Sequence, residues 1–277
     1  MRVRLFINER SRRGRELAPQ ARAALRDAGV ETIEAPPSGN VDGVDAIVCA
    51  GGDGTLLGGI GTAIEAKLPV GIIPLGTFNE LARTFGIPLD VRAAVETIVQ
   101  GHTRTIDVGR VNGVHFINEA SIGISSRAAR LQTPELKRRF GFLGVLWSSL
   151  RAMRYSRPFR ATVRHQGGVE ALRTLQLTVA NSYRFGGVLS VEDAAIDDGW
   201  LDLYSVDITG PREAFSVARA ILAGKRQNAP GLRTLRARVF DVTTHHPHHI
   251  AADGEPAGVT PARFEVLPKA LRLIVPQ

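Results

Sequence analysis

A single cysteine, Cys49, in 277 residues excludes a disulfide framework and a cysteine-rich metal module. It sits in the apolar run VDAIVCA, where burial in a strand accounts for it, and a reducing, cytoplasmic setting is expected. Long apolar runs are missing as well. The most apolar stretch, Phe140 to Leu150, is eleven residues and ends at Arg151, well short of the ~20 that a membrane-spanning helix needs. The first residues, MRVRLFINERSRRG, interleave arginines with a short apolar core and lack the apolar run of a signal peptide, so neither secretion nor a bilayer crossing is expected. No internal repeat or low-complexity linker breaks the chain. The general phosphate-binding fingerprints GxxxxGK[ST] and GxGxxG are absent too.

What is present is a globular composition, 44% hydrophobic and 22% charged, with a net charge of +8 and a pI near 10.5. That balance is high for a cytoplasmic enzyme and points to a polyanionic partner: a nucleotide, a nucleic acid or an anionic membrane surface. From Arg127 to Arg160 nine Lys or Arg residues stand against one acidic residue, Glu135. Arg212 to Arg238 is a second basic stretch with Glu213 alone against it. The second stretch carries a single aromatic for base stacking, Phe215, and nucleic acid is the least favoured of these partners.

The length suits one large domain or two ordinary ones, and the patterning favours two. Up to about Thr103, strand-like and helix-like segments alternate, as an α/β domain with a parallel sheet requires. Strands are expected at Val3 to Ile7, Val44 to Ala50 and Val70 to Ile73. Helices are expected at Arg15 to Ala28, Thr55 to Ala66, Asn79 to Phe85 and Val91 to Val99. Beyond that point the rhythm becomes that of antiparallel strands joined by turns. Thr105 to Val111 and Val114 to Ile122 flank Asn112-Gly113, a dipeptide suited to a two-residue hairpin. Phe159 to His165 and Ala171 to Ala180 flank Gln166-Gly167-Gly168. Further strands are expected at Trp200 to Val206, Arg233 to Val242 and Arg263 to Val275, with helices at Ser125 to Leu131, Pro134 to Tyr155 and Pro211 to Leu222. The boundary is placed at 110/111, with 1–110 as the first domain, completed by 268–277, and 111–267 as the second.

The chemistry concentrates in a few turns. AGGDGTLLGGIGT, Ala50 to Thr62, carries six glycines and one aspartate at a strand-to-helix junction. There the backbone can approach a phosphate and the first helical N–H groups lack internal partners. Asp53 beside a phosphate calls for a cation, of which Mg²⁺ is the natural one. Taken alone, the stretch fits a nucleotide site and a structural turn equally well. IPLGTFNELAR, Ile73 to Arg83, repeats the design with Gly76-Thr77 before a helix near Asn79, and two such turns at neighbouring strand ends would lie at the mouth of a parallel sheet. Asp253-Gly254-Glu255, by itself, reads as an acidic turn. His245-His246-Pro247-His248-His249 lacks the ligand spacing of a zinc site and reads as a polar connection or a pH-sensitive surface patch.

Together, an N-terminal strand ending in Asn8, GGDGT at Gly51 to Thr55, GTFNELART at Gly76 to Thr84, IDVGRVNGVHFINEASIG at Ile106 to Gly123, NSYRFGG at Asn181 to Gly187, DDGWLD at Asp197 to Asp202 and DGE at Asp253 to Glu255 resemble the diacylglycerol kinase catalytic-domain family, specifically its short bacterial soluble lipid kinases. The resemblance spans nearly the whole chain. It implies a nucleotide-binding α/β domain with a parallel sheet, an antiparallel β-sandwich-like second domain, and an active site in the cleft between them. Carried over by position, Asn8, Gly51, Gly52, Asp53, Gly54, Thr55, Gly76, Thr77 and Asn79 contact ATP, with Asp53 working with Mg²⁺ and the phosphates. By the same resemblance Glu255 is expected to be the general base. A second, structural Mg²⁺ is implied at Asp198 and the carbonyls of Ala195 and Trp200.

The family's NPxSG-like loop is replaced here by Asn8-Glu9-Arg10-Ser11 followed by Arg12-Arg13-Gly14, and its second-turn Asn-Asp by Asn79-Glu80. The related NAD kinases share GGDGT and an Asn-Glu pair like Asn118-Glu119, while GTFNELART looks like the lipid-kinase version. Expected partners are a lipid acceptor such as diacylglycerol at an anionic membrane surface and a nucleotide, not nucleic acid; a homodimer is a family-level expectation. The basic, amphipathic segment Pro134 to Tyr155 fits both a core-packing helix and one lying in a membrane interface. The expected location is cytoplasmic with peripheral membrane association. The alternatives are a NAD kinase and a catalytically weak nucleotide-binding regulator at a membrane.

Overall fold

A computed structural model describes the chain apart from residues 37–38, 78, 127–156, 182–183, 186–188, 191–194, 209–211, 214–215, 217–218 and 220–229. The expected helix at 134–155 lies wholly outside the described residues, as do most of those at 125–131 and 211–222. The chain divides into two compact units, 1–106 with 269–277 and 107–268.

The first unit is built from β1 (Arg2–Ile7), α1 (Arg12–Asp27), β2 (Glu31–Glu34), β3 (Ala46–Gly51), α2 (Asp53–Ala66), β4 (Val70–Pro74), α3 (Glu80–Thr84) and α4 (Val91–Gln100). Its strands run parallel in the order β2-β1-β3-β4. The chain's last strand adds to β4 through Leu273 opposite Val70. Every residue of β3 and β4 is buried, as expected of strands covered on both faces. Ala46, Val48 and Ala50 share a core with Ala21 and Leu25 of α1 and Val95 and Ile98 of α4, while α2 packs on β3 and β4. Ser11 caps α1 by accepting the Gly14 N–H at 2.9 Å, and Asp90 caps α4 through Ala93 at 3.0 Å.

The second unit opens with β5 (Thr103–Val111), a strand begun in the first, and continues with β6 (Val114–Phe116), β7 (Glu119–Gly123), β8 (Phe159–His165), β9 (Gly168–Thr174), β10 (Gln176–Ala180), β11 (Arg184–Phe185), β12 (Leu189–Ser190), β13 (Leu201–Val206), β14 (Leu232–Ala237), β15 (Val239–Thr244), β16 (His249–Ala252), β17 (Glu255–Val259) and β18 (Ala262–Ile274). One antiparallel sheet runs β14-β13-β10-β7-β16-β17. In the other, β9 pairs β8, β8 pairs β15, and β15 pairs the first part of β18. Phe116, Phe240 and Phe264 meet Ile122, Val179, Leu203 and Ile250 in one core between the sheets, so the expected sandwich of antiparallel sheets is present. Asn112 and Gly113 take φ of 48° and 85°, the left-handed pair that a two-residue hairpin requires, and Val111 pairs Val114 across it.

Four strand expectations change, each for a local reason. β2 was not expected, because an exposed edge strand held by main-chain pairing to β1 needs no apolar run. The single strand expected over Val114 to Ile122 breaks at Ile117 and Asn118, whose N–H groups go to Asp253. The one expected over Ala171 to Ala180 breaks at Leu175, where the buried Thr174 hydroxyl donates to the Gln176 carbonyl at 2.7 Å and accepts the Val206 N–H at 3.2 Å. Arg233 to Val242 divides at Arg238 between the two sheets, β14 in one and β15 in the other.

Cys49 is 2% exposed on β3, and burial away from water pushes its thiol up to about 12. The thiolate is the reactive form. A disulfide reagent at pH 8 should therefore label the native protein only at the rate at which it unfolds, whereas stoichiometric labelling on mixing would contradict the burial.

Candidate active site

The carboxyl ends of β1, β3 and β4 are neighbours, with Ile7 beside Ala50 and Gly51 beside Pro74. The order β2-β1-β3-β4 reverses chain direction across the sheet between β1 and β3, the switch point at which open α/β sheets bind ligands. Asn8, Gly51 to Thr55, Gly76, Thr77 and Asn79 are thus brought together at one edge of the first unit. The two glycine turns touch: a Cβ on Gly76 would stand 2.5 Å from the Gly52 Cα and 2.6 Å from Asn79 Oδ1, so no side chain fits there. Gly52 precedes α2 and offers no side-chain cap, leaving the first N–H groups of that helix aimed at the turn, an anion site by construction.

The side chains around the turns build them. Asn8 Nδ2 donates to Thr55 Oγ1 at 3.0 Å, tying the end of β1 to the start of α2, and Thr55 is buried. Asn79, buried and left-handed at φ 48°, accepts the Gly76 N–H through Oδ1 and donates through Nδ2 to the Gly76 carbonyl, both at 2.9 Å. The Asp53 carboxylate accepts the N–H groups of Glu80 at 3.2 Å and Leu81 at 3.3 Å, capping α3. Each of its oxygens keeps a lone pair, and no cation among the described residues pairs with it, so the group fits a divalent ion. Gly51, Gly52 and Gly54 offer backbone rather than side-chain chemistry, and Thr77 is exposed.

Sequence reasoning missed Arg13. Gly14 lies so close to the Asn8 carbonyl that a Cβ would sit 2.1 Å from the oxygen. That packing brings the first turn of α1 to the site, and Arg13 Nη1 donates to the Gly76 carbonyl at 3.3 Å. The signal was the run of arginines directly after β1, noticed only as a departure from the family's loop.

In the second unit Asp253 and Gly254 take φ of 45° and 82° and form the turn between β16 and β17. The Asp253 carboxylate accepts N–H groups from Ile117 at 2.7 Å, Asn118 at 3.0 Å and Glu119 at 2.9 Å. Three charge-assisted bonds fix the hairpin. Two residues on, Glu255 is exposed and its carboxylate meets no hydrogen-bond or ion-pair partner among the described residues. Asn181 Nδ2 donates to the carbonyls of Asp107 at 3.0 Å and Ile117 at 2.9 Å, and Asp107 accepts the Gly199 N–H at 2.6 Å. The DDG turn and the strand break beside the DGE turn are thereby linked through buried polar groups.

Asp198 accepts the N–H of Trp200 at 2.9 Å and, more weakly, that of Ala195 at 3.4 Å. It also forms an ion pair with Arg236, whose guanidinium lies 5.7 Å from the centre of the Trp200 ring. The second magnesium set that the resemblance implies, Asp198 with the carbonyls of Ala195 and Trp200, thus has its carboxylate paired with an arginine, and no group of three or more His, Cys, Asp or Glu among the described residues could hold a metal. Nor is any described helix long and apolar enough to cross a membrane.

Two family profiles match this architecture. Residues 2–111 match the diacylglycerol kinase catalytic domain, and residues 118–275 match the YegS C-terminal NAD kinase beta sandwich-like domain. The chain belongs to the diacylglycerol kinase catalytic-domain family of lipid kinases, which implies use of a nucleotide and a lipid. It is 33% identical over 239 residues to the "Probable lipid kinase YegS-like" of Klebsiella pneumoniae, covering 84% of this chain and 78% of that one. It is 28% identical over 238 residues to the diacylglycerol kinase of Bacillus subtilis, with the same coverages. An uncharacterised Synechocystis relative is longer, and the chain spans 56% of it. The crystal structure of a diacylglycerol kinase from Bacillus anthracis shares the fold at a TM-score of 0.75 with 24% identity, over 99% of this chain and 97% of that one.

The two carboxylates of the DGE turn should separate on substitution. Asp253→Ala leaves three N–H groups without their acceptor and should cost about 3 kcal/mol or more in chemical denaturation. Glu255→Ala removes an exposed, unbonded side chain and should stay within about 0.5 kcal/mol of the parent. Equal effects would contradict the assignment.

Proposed function

We propose that the chain transfers the γ-phosphoryl group of ATP to the hydroxyl of a lipid, diacylglycerol or a close relative. The observation that carries this reading is the contact of the Gly51–Thr55 and Gly76–Thr77 turns at the carboxyl ends of β3 and β4, next to the sheet's switch point, where backbone N–H groups and a helix start converge and no Cβ intrudes. Phosphoryl transfer relies on positioning and charge stabilisation more than on covalent chemistry. The turns hold the phosphates, Arg13 supplies positive charge, and Asp53 would hold a magnesium ion, which would supply charge neutralisation there when bound. Glu255 accepts the proton as the acceptor oxygen bonds to phosphorus and the bond to the bridging oxygen of ADP breaks. Its freedom from cationic partners among the described residues suits a general base. The assignment requires Glu255 and the phosphate turns to act on one phosphoryl group.

No catalytic step is assigned to Asp198, whose arginine partner already stabilises the DDG turn. Asp53 also caps α3, so Asp53→Asn, which keeps the shape and an acceptor oxygen, is a cleaner probe of the metal role than Asp53→Ala.

Purified protein with labelled ATP, magnesium and a panel of lipids in mixed micelles should label diacylglycerol or a close analogue. Arg13→Ala should raise KM for ATP about tenfold, the worth of one charge-assisted contact, while KM for the lipid stays unchanged. Conversion of NAD to NADP with no labelled lipid would favour the NAD kinase reading. ATP binding without transfer to any lipid would favour a regulator.

A further inference from the structure

One arginine on α1 joins two carboxylates from different parts of the first unit. Arg22 donates through Nη1 to Glu9 Oε1 at 2.8 Å, and through Nε and Nη2 to the two carboxylate oxygens of Glu34 at 2.6 and 2.8 Å. The bond to Glu34 is the bidentate, fork-to-fork geometry, which fixes orientation as well as distance. Hydrogen bonds from Glu34 and then Glu9 raise the Arg22 pKa, and the same guanidinium holds the Glu34 carboxyl below its usual range. The Arg22 and Glu34 side chains therefore stay charged at neutral pH.

Glu34 is a firm anchor. It ends β2 opposite Leu5 of β1, the following Ala35 donates its N–H to the Leu5 carbonyl at 3.1 Å, and the buried Arg4 donates to the Pro36 carbonyl at 2.8 Å. Glu9, by contrast, sits in the loop that leads to the phosphate turns. Just before it, Asn8 bonds Thr55 at the start of α2 and accepts the Arg10 N–H at 3.1 Å. Just beyond it, Arg13 reaches the Gly76 carbonyl. Glu9 stands where the family's pattern has a proline, whose ring would fix φ, so this loop lacks that covalent restraint. One charged side chain ties it to the edge strand instead. The side chains of Arg22, Glu9 and Glu34 are 39, 48 and 46% exposed, and ion pairs so placed add little to global stability. Their effect is that of a local tether.

We propose that Arg22 is a positioning residue for the nucleotide: through Glu9 it holds the loop from Asn8 to Arg13 in the geometry that meets the phosphates. The inference rests on the reading of the glycine turns as an ATP site. It also reverses what charge alone would do. Glu9 is an anion next in sequence to Asn8, so by electrostatics its neutralisation should tighten the binding of a polyanion. As the loop's tether, its neutralisation should weaken that binding.

Calorimetric titration of the full chain with ATP and magnesium, without lipid, measures it. Glu9→Gln and Arg22→Gln should each raise Kd about fivefold, and the double variant should lose no more than either alone. Arg22→Lys keeps the charge but has no fork to hold both acids, and should behave as Arg22→Gln does. Glu16→Gln removes the same charge from the exposed Arg12 and Glu16 pair of α1 and should leave Kd unchanged. Thermal midpoints should stay with the parent's, and in transfer assays KM for ATP should rise by the same factor at unchanged kcat. A Glu9→Gln variant that binds ATP as tightly as the parent, or more tightly, would overturn the proposal. So would an Arg22→Lys variant that binds as the parent does, or a loss in Glu16→Gln equal to that in Glu9→Gln. A parent that binds no ATP would overturn the ATP-site reading and the proposal with it, a failure distinct from the others.

Discussion

The mouth of the parallel sheet depends on the approach of Gly52 to Gly76. Two parallel strands separated by one hydrogen-bonded register deliver two turns to the same point, and only backbones without Cβ atoms can share it. That constraint places the start of α2 beside the second turn and gives Asn79 its job: a buried amide, itself left-handed, closes on both polar atoms of Gly76. A methyl group on Gly76 would push the two turns apart, and one on Gly52 would press on the Gly76 Cα at 3.3 Å.

A second theme is the use of carboxylates to hold main chain. Asp53 caps α3, Asp253 gathers three N–H groups at a strand break, Asp107 fixes Gly199, and Asp198 bonds Trp200 while paired with Arg236. A charged acceptor bonds backbone N–H groups about twice as strongly as a neutral one, so each is well suited to fix a turn on which a reactive group is carried. Glu255 is the exception, exposed and unbonded at the rim of a turn that Asp253 makes rigid. The two acids of one tripeptide divide the work, one fixing the turn and the other left accessible on it, as the proposed base requires.

Much of this was legible in the sequence because it follows from local rules. Apolar runs marked the buried parallel strands, Asn112-Gly113 marked its hairpin, and the repeated Gly-Thr turns marked the sheet edge. What escaped depended on partners far away in sequence. The break at Ile117 is imposed by Asp253, 136 residues on, and that at Leu175 by a hydroxyl whose second partner is Val206. β2 has no apolar signature because its strand identity comes from β1. Arg13 was visible as an oddity but not as a site residue, since its value comes from the packing of Gly14 on Asn8. At Asp198, where the family pattern suggests a metal ligand, the partner Arg236 stands 38 residues on and leaves no local signal in the sequence.

The central claim is that Glu255 is the base for a phosphoryl transfer supported by the glycine turns. The most direct measurement is the rate of label transfer from γ-labelled ATP to diacylglycerol by the parent and by Glu255→Gln at matched folded concentration. The account predicts transfer by the parent and a loss on the order of 10² to 10⁴ in kcat for the variant, with KM for ATP and the thermal midpoint unchanged. A variant that transfers at the parent's rate would contradict it.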